Sequence, residues 1–501
     1  MLIQIRSRPG VAKESEREWG AYLQKHFSRL VGIAVILIVV LAASLLAWAL
    51  SMSGKPALMW NPIEVHIGKL WTTFYSTELP DLSILAFAVA AAVILVLLVV
   101  LGERFVTWRY RRTPIQKSSR PLAPKAVMAR TRGIYAGPVT VTVLIPAHNE
   151  EASLPYTLKA LEEQSFAPSR IIVVADNCTD RTVQVAREHG VEVFESVENK
   201  HKKGGALNQA LHSILPGMGD NDCVMVMDAD SQIGADFLAT ARDRFTWDRA
   251  LMSVGGLFHG EEGHGLIGQF QRNEYTRYQR EIGRRDGRVF VLTGTASVFR
   301  ATALREVAAA RGSMLPGTFG EVYDTAALTE DNELTIALKT LGALTTSPQD
   351  CTVVTELMPN WKMLWAQRLR WQRGALENLG AYGVTPQTTR YWAQQIGIGY
   401  GVIALFSYFA LMIIMLVSMD NWVWFPFWML LGALFAVERV VTVWHGGWKA
   451  RIIAALVIPE LVYDAFLDLA FLKGVGDIAF ARSADWKHVD HAGAARKEST
   501  S

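Results

Sequence analysis

Two kinds of hydrophobic pattern divide this chain. Towards both ends, apolar residues run on without a charge. Leu30 to Met52, Leu82 to Gly102 and Ile396 to Met419 are each uncharged over more than twenty residues, long enough to cross a bilayer as helices. A fourth span is expected at 422–444, opened by Trp422, Trp424, Phe425 and Trp428, residue types that settle at a membrane interface. Between these runs, short β-rich stretches alternate with amphipathic ones: Val139 to Ile145 then Glu151 to Glu163, Arg170 to Ala175 then Asp180 to His189, Val191 to Glu195 then Gly204 to Leu215, and last Asp222 to Asp228. That alternation predicts an α/β domain with a parallel sheet. Ligands of such sheets bind beyond the carboxyl ends of the strands, so the residues that follow each strand are the ones to read.

Composition and charge sharpen this division. Half of the 501 residues are apolar, high for a water-soluble enzyme, and the length allows more than one domain. The first apolar run starts too far from the terminus for a cleaved signal peptide and is expected to be a retained anchor. Residues 1–29 carry Arg6, Arg8, Lys13, Arg17, Lys25 and Arg29, the loop 53–81 carries only Lys55 and Lys69, and 104–132 holds nine Lys or Arg and no acid. By the positive-inside rule the long segment 103–395 lies in the cytosol. The expected order is a cytosolic segment (1–29), a transmembrane hairpin (30–102), a basic juxtamembrane linker facing anionic lipid (103–137), a catalytic domain (138–355), interfacial helices (356–395), a C-terminal membrane region (396–475) and a polar tail (476–501). A net charge of +3 gives no footing for nucleic acid. Cys178, Cys223 and Cys351 have no paired spacing and read as buried thiols.

The strand ends carry the chemistry. The first closes in Pro146-Ala147-His148-Asn149-Glu150, and the second in Asp176-Asn177-Cys178-Thr179-Asp180. There Asp176 could accept bonds from a base or ribose, or Asp176 or Asp180 could merely cap the next helix. Lys202-Lys203-Gly204-Gly205 places cations and glycines before a helix, suited to a phosphate, without the spacing of a P-loop. The fourth strand runs into Asp228-Ala229-Asp230, two carboxylates that suit Mg2+ or Mn2+ bridging a diphosphate. Thr329-Glu330-Asp331 opens a helix. Acids favour a first turn, yet sugar transfer with inversion needs one carboxylate to take the acceptor's proton, and Asp331 is the candidate. Gln367-Arg368-Leu369-Arg370-Trp371 lies in a Trp-rich stretch. Its Trp371 could anchor at an interface or stack on a sugar, and Arg370 could neutralise a diphosphate.

Taken in order, His148-Asn149-Glu150, Asp176, Lys203, Asp228-x-Asp230, Thr329-Glu330-Asp331 and Gln367-x-x-Arg370-Trp371 between apolar pairs resemble the processive family 2 glycosyltransferases, makers of hyaluronan, chitin, cellulose and poly-N-acetylglucosamine. The resemblance implies a GT-A-type nucleotide-sugar domain inserted between membrane helices. It implies that Asp176 contacts the uridine, that Lys203 and Arg370 serve the donor, and that Asp228 and Asp230 hold nucleotide and metal. Asp331 is then the base, while Glu330, Gln367 and Trp371 face the acceptor. Gly294 and Thr295, expected after a strand from Val289 to Leu292, would lie beside it.

Between Arg451 and Lys473, Glu460, Asp464 and Asp468 recur at steps of four, hence along one helical stripe. Each acid at mid-bilayer would cost about 3 kcal/mol, so the stripe must face protein, water or the interface. It fits a fifth span lining a polymer channel or a helix on the cytosolic surface. The function expected is processive, export-coupled transfer from a UDP-sugar to a growing polysaccharide. The alternatives are single addition to a lipid-linked acceptor, and a silent scaffold or transport protein.

Overall fold

A computed structural model of the chain describes residues 138–248, 251–285, 287–418, 422–424, 426–480 and 482, with 63–67, 71–75 and positions 44, 94 and 101. The chain divides into two compact units, Met1–Arg111 with Ser418–Gly432, and Arg112–Val417 with Ala433–Ser501. The spans expected at 30–52 and 82–102 lie outside the described residues save for those single positions, as do residues 1–29, 103–137 and the tail beyond 482.

In the first unit, Ile63–Ile67 (β1) and Trp71–Tyr75 (β2) pair antiparallel, with Val65 opposite Thr73. The signal was present in the alternation of Ile63, Val65 and Ile67 with Glu64 and His66 before Gly68.

The second unit is built on a mixed sheet. Thr140–Ala147 (β3), Arg170–Ala175 (β4), Glu192–Glu195 (β5) and Asp222–Met227 (β6) are parallel, with Leu144 opposite both Ile172 and Val226. Helices Leu154–Glu162 (α1), Thr182–Glu188 (α2) and Lys202–Ile214 (α3) connect them. After β6 the chain makes Gln232–Ile233 (β7), Phe237–Trp247 (α4), Leu251–Gly255 (β8), Leu257–Gly260 (β9) and the long helix Gly265–Arg284 (α5). It then returns as Ala296–Arg300 (β10), Ala301–Ala310 (α6), Glu330–Thr340 (α7), Leu344–Thr346 (β11) and Thr352–Thr355 (β12). The seven-stranded order is β11-β8-β10-β6-β3-β4-β5.

The expected parallel sheet holds for four strands, but β10 runs antiparallel to both β6 and β8. Its far end is held by Arg300, fully buried, whose guanidinium donates to the carbonyls of Leu251 (2.8 Å) and Phe245 (2.7 Å). The core lies on both faces of the sheet, as the consecutive apolar residues Val143 to Ala147 of β3 require. Val143 and Ile145 of β3 pack with Leu158 and Phe237 on one side, and Leu144 with Leu207 and Leu304 on the other. Each such side chain contributes roughly 1.5–3 kcal/mol.

Beyond the sheet come Trp361–Tyr382 (α8), Thr389–Ser418 (α9), Trp422–Trp424 (β13), Pro426–Thr442 (α10), Gly447–Leu456 (α11) and Ile458–Ala479 (α12). In the first unit, β13 pairs parallel to β2, with Val423 opposite Phe74. The run 396–419 thus falls on α9. The run 422–444 is not one helix: Trp422–Trp424 is a strand, and the helix starts afresh at Pro426, whose fixed φ favours a first turn. The segment 451–473 is broken too, at Val457 (φ 58) before Pro459. Among the described residues, no helix is long and apolar enough to cross a membrane.

Candidate active site

The carboxyl ends of β3, β4 and β6 open on one side of the sheet. Past β3 the chain turns at Asn149 (φ 59), whose side chain accepts from the N–H of Thr179 at 2.7 Å and so ties the exit of β3 to that of β4. Nδ1 of His148 donates to the carbonyl of Asp176 at 2.5 Å. Asp176 is buried, and its Oδ1 accepts from Ser196 (2.7 Å), Asn199 (2.8 Å) and Asn177 (3.1 Å). Among the described residues no bond reaches its Oδ2. Asn149, Asn177 and Lys202 all have positive φ, a conformation that costs an ordinary residue energy and is retained where geometry matters.

The cations and glycines expected as a loop before a helix are instead its first turn: α3 starts at Lys202. A Cβ on Gly205 would stand 2.2 Å from Asn199 Oδ1, so this glycine lets the helix close on the residue that holds Asp176. Nζ of Lys203 lies 2.5 Å from Asp228 and 3.6 Å from Glu330. Burial alone would lower its pKa, but Asp228, Glu330 and Asp331 outweigh that and hold it above the ordinary lysine range. Burial and the nearby Arg370 lower Lys202. Two cations drawn together from α3 and α8 suit an anion between them.

Asp228 and Asp230 leave β6 with Ala229 between them. The backbone of Asp228 donates to the Thr295 carbonyl at 3.1 Å, Thr157 donates to that of Ala229 at 2.7 Å, and buried Ser231 donates to Asp230 Oδ1 at 3.2 Å. Among the described residues no group of three metal-ligating side chains occurs. Two carboxylates completed by phosphate oxygens are nevertheless the donor set that Mg2+ or Mn2+ takes beside a diphosphate, so these residues fit such an ion.

Asp331 sits in the first turn of α7. Its Oδ2 accepts from Gly294 N (3.1 Å) and its Oδ1 from Asn332 N (2.7 Å). Burial, then the adjacent Glu330 carboxylate, raise its pKa above the usual aspartate range, against the pull of Lys203 and those two N–H groups. The strand expected from Val289 to Leu292 is absent. That stretch bonds instead to α7, with Lys339 donating to the carbonyls of Val289 and Phe290 and Leu292 N donating to Thr335, so no ladder partner is left to it.

Helix α8 closes the site. A Cβ on Gly374 would stand 2.6 Å from Thr329 Oγ1, and Asn378 donates to the Thr329 carbonyl and to Asn332 Oδ1. These contacts fix α8 against the start of α7. Arg368, unassigned in the sequence because it fills a variable place in its motif, is buried. It donates to Glu274 (2.9 Å) and Gln367 (3.1 Å) and lies 4.3 Å from the centre of the Trp371 ring. Tyr463 of α12 donates to the same Glu274 oxygen at 2.7 Å.

One cavity of about 1450 Å3 is lined by Asp176, Lys203, Asp228, Asp230, Gly294, Thr295, Glu330, Asp331, Gln367, Arg370 and Trp371. Every candidate residue is therefore brought to one place. The acidic stripe is elsewhere. Glu460, buried, accepts from Arg277 of α5 (2.5 Å) and Asn273 (3.0 Å), and Asp464 accepts from Arg439 of α10 (2.6 Å). Both acids face protein.

Residues 142–308 match the family Glycosyl transferase family 2. A probable glycosyltransferase of Bacillus subtilis, YdaM, is 28% identical over 260 residues, 47% of this chain and 54% of that protein, so the chain spans about half the length of this relative. Among solved structures, the mannosyltransferase PcManGT from Pyrobaculum calidifontis in complex with GDP-Man and Mn2+ is similar at 16% identity and a TM-score of 0.48, over 76% of this chain and 95% of that one. Glucosyl-3-phosphoglycerate synthase from Mycobacterium tuberculosis, with Mn2+, UDP and phosphoglyceric acid, is similar at 18% identity and a TM-score of 0.34, over 52% and 82%. The strands that end in Asp176 and Asp228, and the helix that begins with Lys202 and Lys203, thus lie within the segment that matches Glycosyl transferase family 2.

Proposed function

We propose that this protein is a membrane-embedded inverting glycosyltransferase that moves a sugar from a UDP-sugar onto the hydroxyl of a growing polysaccharide. The observation that carries the reading is the single cavity shared by a cation beside paired carboxylates, the Asp331 carboxylate and the half-buried Trp371. Uridine is read by Asp176, which lines the cavity and whose Oδ1 is held by Ser196, Asn199 and Asn177, and the diphosphate is neutralised by Lys203 and Arg370. Asp228 and Asp230 would hold Mg2+ or Mn2+, which when bound supplies positive charge to the leaving diphosphate.

Asp331 takes the proton of the acceptor hydroxyl as that oxygen attacks the anomeric carbon and the bond to the diphosphate breaks. A carboxylate whose pKa is raised towards neutrality is a stronger base, which is the direction burial and Glu330 supply here. Gly294 N steadies the carboxylate by donating to it. Gln367 and Trp371 seat the acceptor end, with Arg368 against the indole. The membrane reading rests on the uncharged runs in the sequence and on exposed apolar side chains along α9 to α12, such as Ile403, Ile413, Leu434, Trp448 and Val462.

The test is direct. Full-length protein in lipid vesicles is given each UDP-sugar with Mg2+ or Mn2+, and the product is sized and digested with linkage-specific hydrolases. A polymer from one donor supports the reading; a single added sugar favours the lipid-linked alternative, and no transfer from any donor sinks both.

A further inference from the structure

Residues 289–294 form no strand, yet they are bonded in register to α7. Gly294 N donates to Asp331 Oδ2 at 3.1 Å, Leu292 N donates to Thr335 Oγ1 at 2.9 Å, and the Phe290 carbonyl accepts from Lys339 Nζ at 2.9 Å. Every second residue of this strap meets every fourth residue of the helix, in antiparallel order, and positions four apart lie on one face of a helix. With only Thr293 between them, fixing Leu292 limits where Gly294 can go. Two residues of chain span at most roughly 7 Å, and the helix advances about 6 Å from Thr335 to Asp331.

The clamps are set back from the site. Thr335 is fully buried, and its hydroxyl also donates to the Asp331 carbonyl at 2.7 Å, so one hydroxyl ties the strap to the turn that carries the base. Lys339 Nζ is shared among the carbonyls of Val289 (2.5 Å) and Phe290 and the hydroxyl of Tyr391 (2.9 Å), which itself donates to the Phe290 carbonyl at 2.5 Å. From α5, Tyr278 donates to the Val291 carbonyl at 3.3 Å. Phe290, Val291, Thr293 and Gly294 line the cavity, whereas Thr335 and Lys339 do not. At its far end the strap reaches the donor side. A Cβ on Gly294 would stand 3.3 Å from Asp331 Oδ2 and 3.5 Å from Lys203 Nζ, and the next carbonyl, of Thr295, accepts from Asp228 N at 3.1 Å.

We propose that Thr335 and Lys339 are positioning residues for the base, holding the strap so that the Gly294 N–H meets the Asp331 carboxylate and keeps it in one orientation. This deepens the transferase reading above and rests on it for the role of Asp331. The other carboxylate oxygen is held by Asn332 N at 2.7 Å; with Gly294 withdrawn, the group could turn about that one bond. A base has to lie within hydrogen-bond reach of the proton that it takes, and a misplacement of about 1 Å can cost about a hundredfold in rate.

Three variants of the full chain in vesicles test this. Thr335→Val keeps the shape and removes the hydroxyl, Thr335→Ser keeps the hydroxyl, and Lys339→Met removes the amine. Each is compared with the parent for UDP affinity, for kcat and donor KM with the UDP-sugar that the parent uses, and for hydrogen exchange at the Gly294 amide, with cooperative thermal unfolding as the check of folding. Thr335→Val and Lys339→Met should lower kcat about tenfold or more, leave UDP affinity and donor KM within about threefold, and speed exchange at Gly294 about tenfold or more. Thr335→Ser should recover most of the loss. On top of Asp331→Asn, Thr335→Val should cost less than about threefold further, because both changes act through one carboxylate. Parent-like kcat in both variants, an undiminished loss on top of Asp331→Asn, or UDP affinity that falls in step with kcat overturns the proposal. If Thr335→Val does not fold, Lys339→Met carries the same test, alone and on top of Asp331→Asn. A parent that transfers no sugar, or an Asp331→Asn variant that keeps its turnover, removes the base reading instead. The clamp on Gly294 then stands if the variants speed its exchange, and falls if they do not.

Discussion

Replacing Asp331 by asparagine separates the base from the rest of the site. The carboxylate accepts two backbone N–H groups, from Gly294 at 3.1 Å on one oxygen and from Asn332 at 2.7 Å on the other. An asparagine keeps one acceptor but turns an NH2 towards the second N–H, a mismatch worth about 1–3 kcal/mol. That cost falls on local order. The donor groups keep their partners, since Lys203 retains Asp228 at 2.5 Å and Glu330 at 3.6 Å. Affinity for UDP should therefore change by less than about tenfold, or ~1.4 kcal/mol. Transfer should fall by about 10²–10⁴-fold, the usual worth of a positioned base, equivalent to roughly 2.7–5.4 kcal/mol on the barrier. Calorimetric titration with UDP and single-turnover transfer from a labelled UDP-sugar measure the two effects side by side. Turnover equal to the parent would refute the base assignment, and loss of UDP binding in step with transfer would show that Asp331 serves the donor.

Three further changes probe the neighbours. Glu330→Gln removes the like charge that helps raise Asp331; transfer needs the ionised base and is lost as pH falls through its raised pKa, so the acid limb of the profile should move to lower pH, and a limb that stays or rises contradicts the electrostatic account. Asp230→Ala should reduce transfer by about a hundredfold or more and abolish its response to added Mg2+ or Mn2+, whereas an active variant indifferent to metal would remove Asp230 from that role. Trp371→Ala should lower polymer yield by about tenfold and donor hydrolysis by less; an unchanged yield would leave this tryptophan an interfacial anchor.

The sequence was most readable where local pattern and topology agree. Three of the four parallel strands announce themselves by consecutive apolar residues, the fourth, Glu192–Glu195, by its place in the alternation with helices, and their carboxyl ends set Asp176 and Asp228 at one rim whatever the details beyond. Val289 to Leu292 has the same apolar look, yet its backbone is claimed by Thr335 and Lys339 from a helix forty residues on, and no periodicity reports that. The antiparallel course of β10 depends on how the chain returns after α5, a tertiary fact. Gly204 and Gly205 read as flexible residues ahead of a helix because glycine weakens helices, whereas both lie inside one and Gly205 serves a close approach there. Arg368 and Glu274 were invisible for a related reason: their partnership joins positions nearly one hundred residues apart.

The pairing of Glu460 with Arg277 has a mechanical side. Arg277 belongs to α5, whose other residues Glu274 and Tyr278 form part of the cavity wall, and Glu460 is almost wholly shielded from water. An ion pair so shielded is little weakened by salt, and taking away one member leaves a stranded charge. Helix α12 therefore acts as a splint along α5, with Tyr463 as a second fastening at Glu274. Whatever loosens that splint, a detergent between the helices or a substitution at Glu460, should slacken the seat of Trp371 while the sheet that binds the nucleotide stays intact.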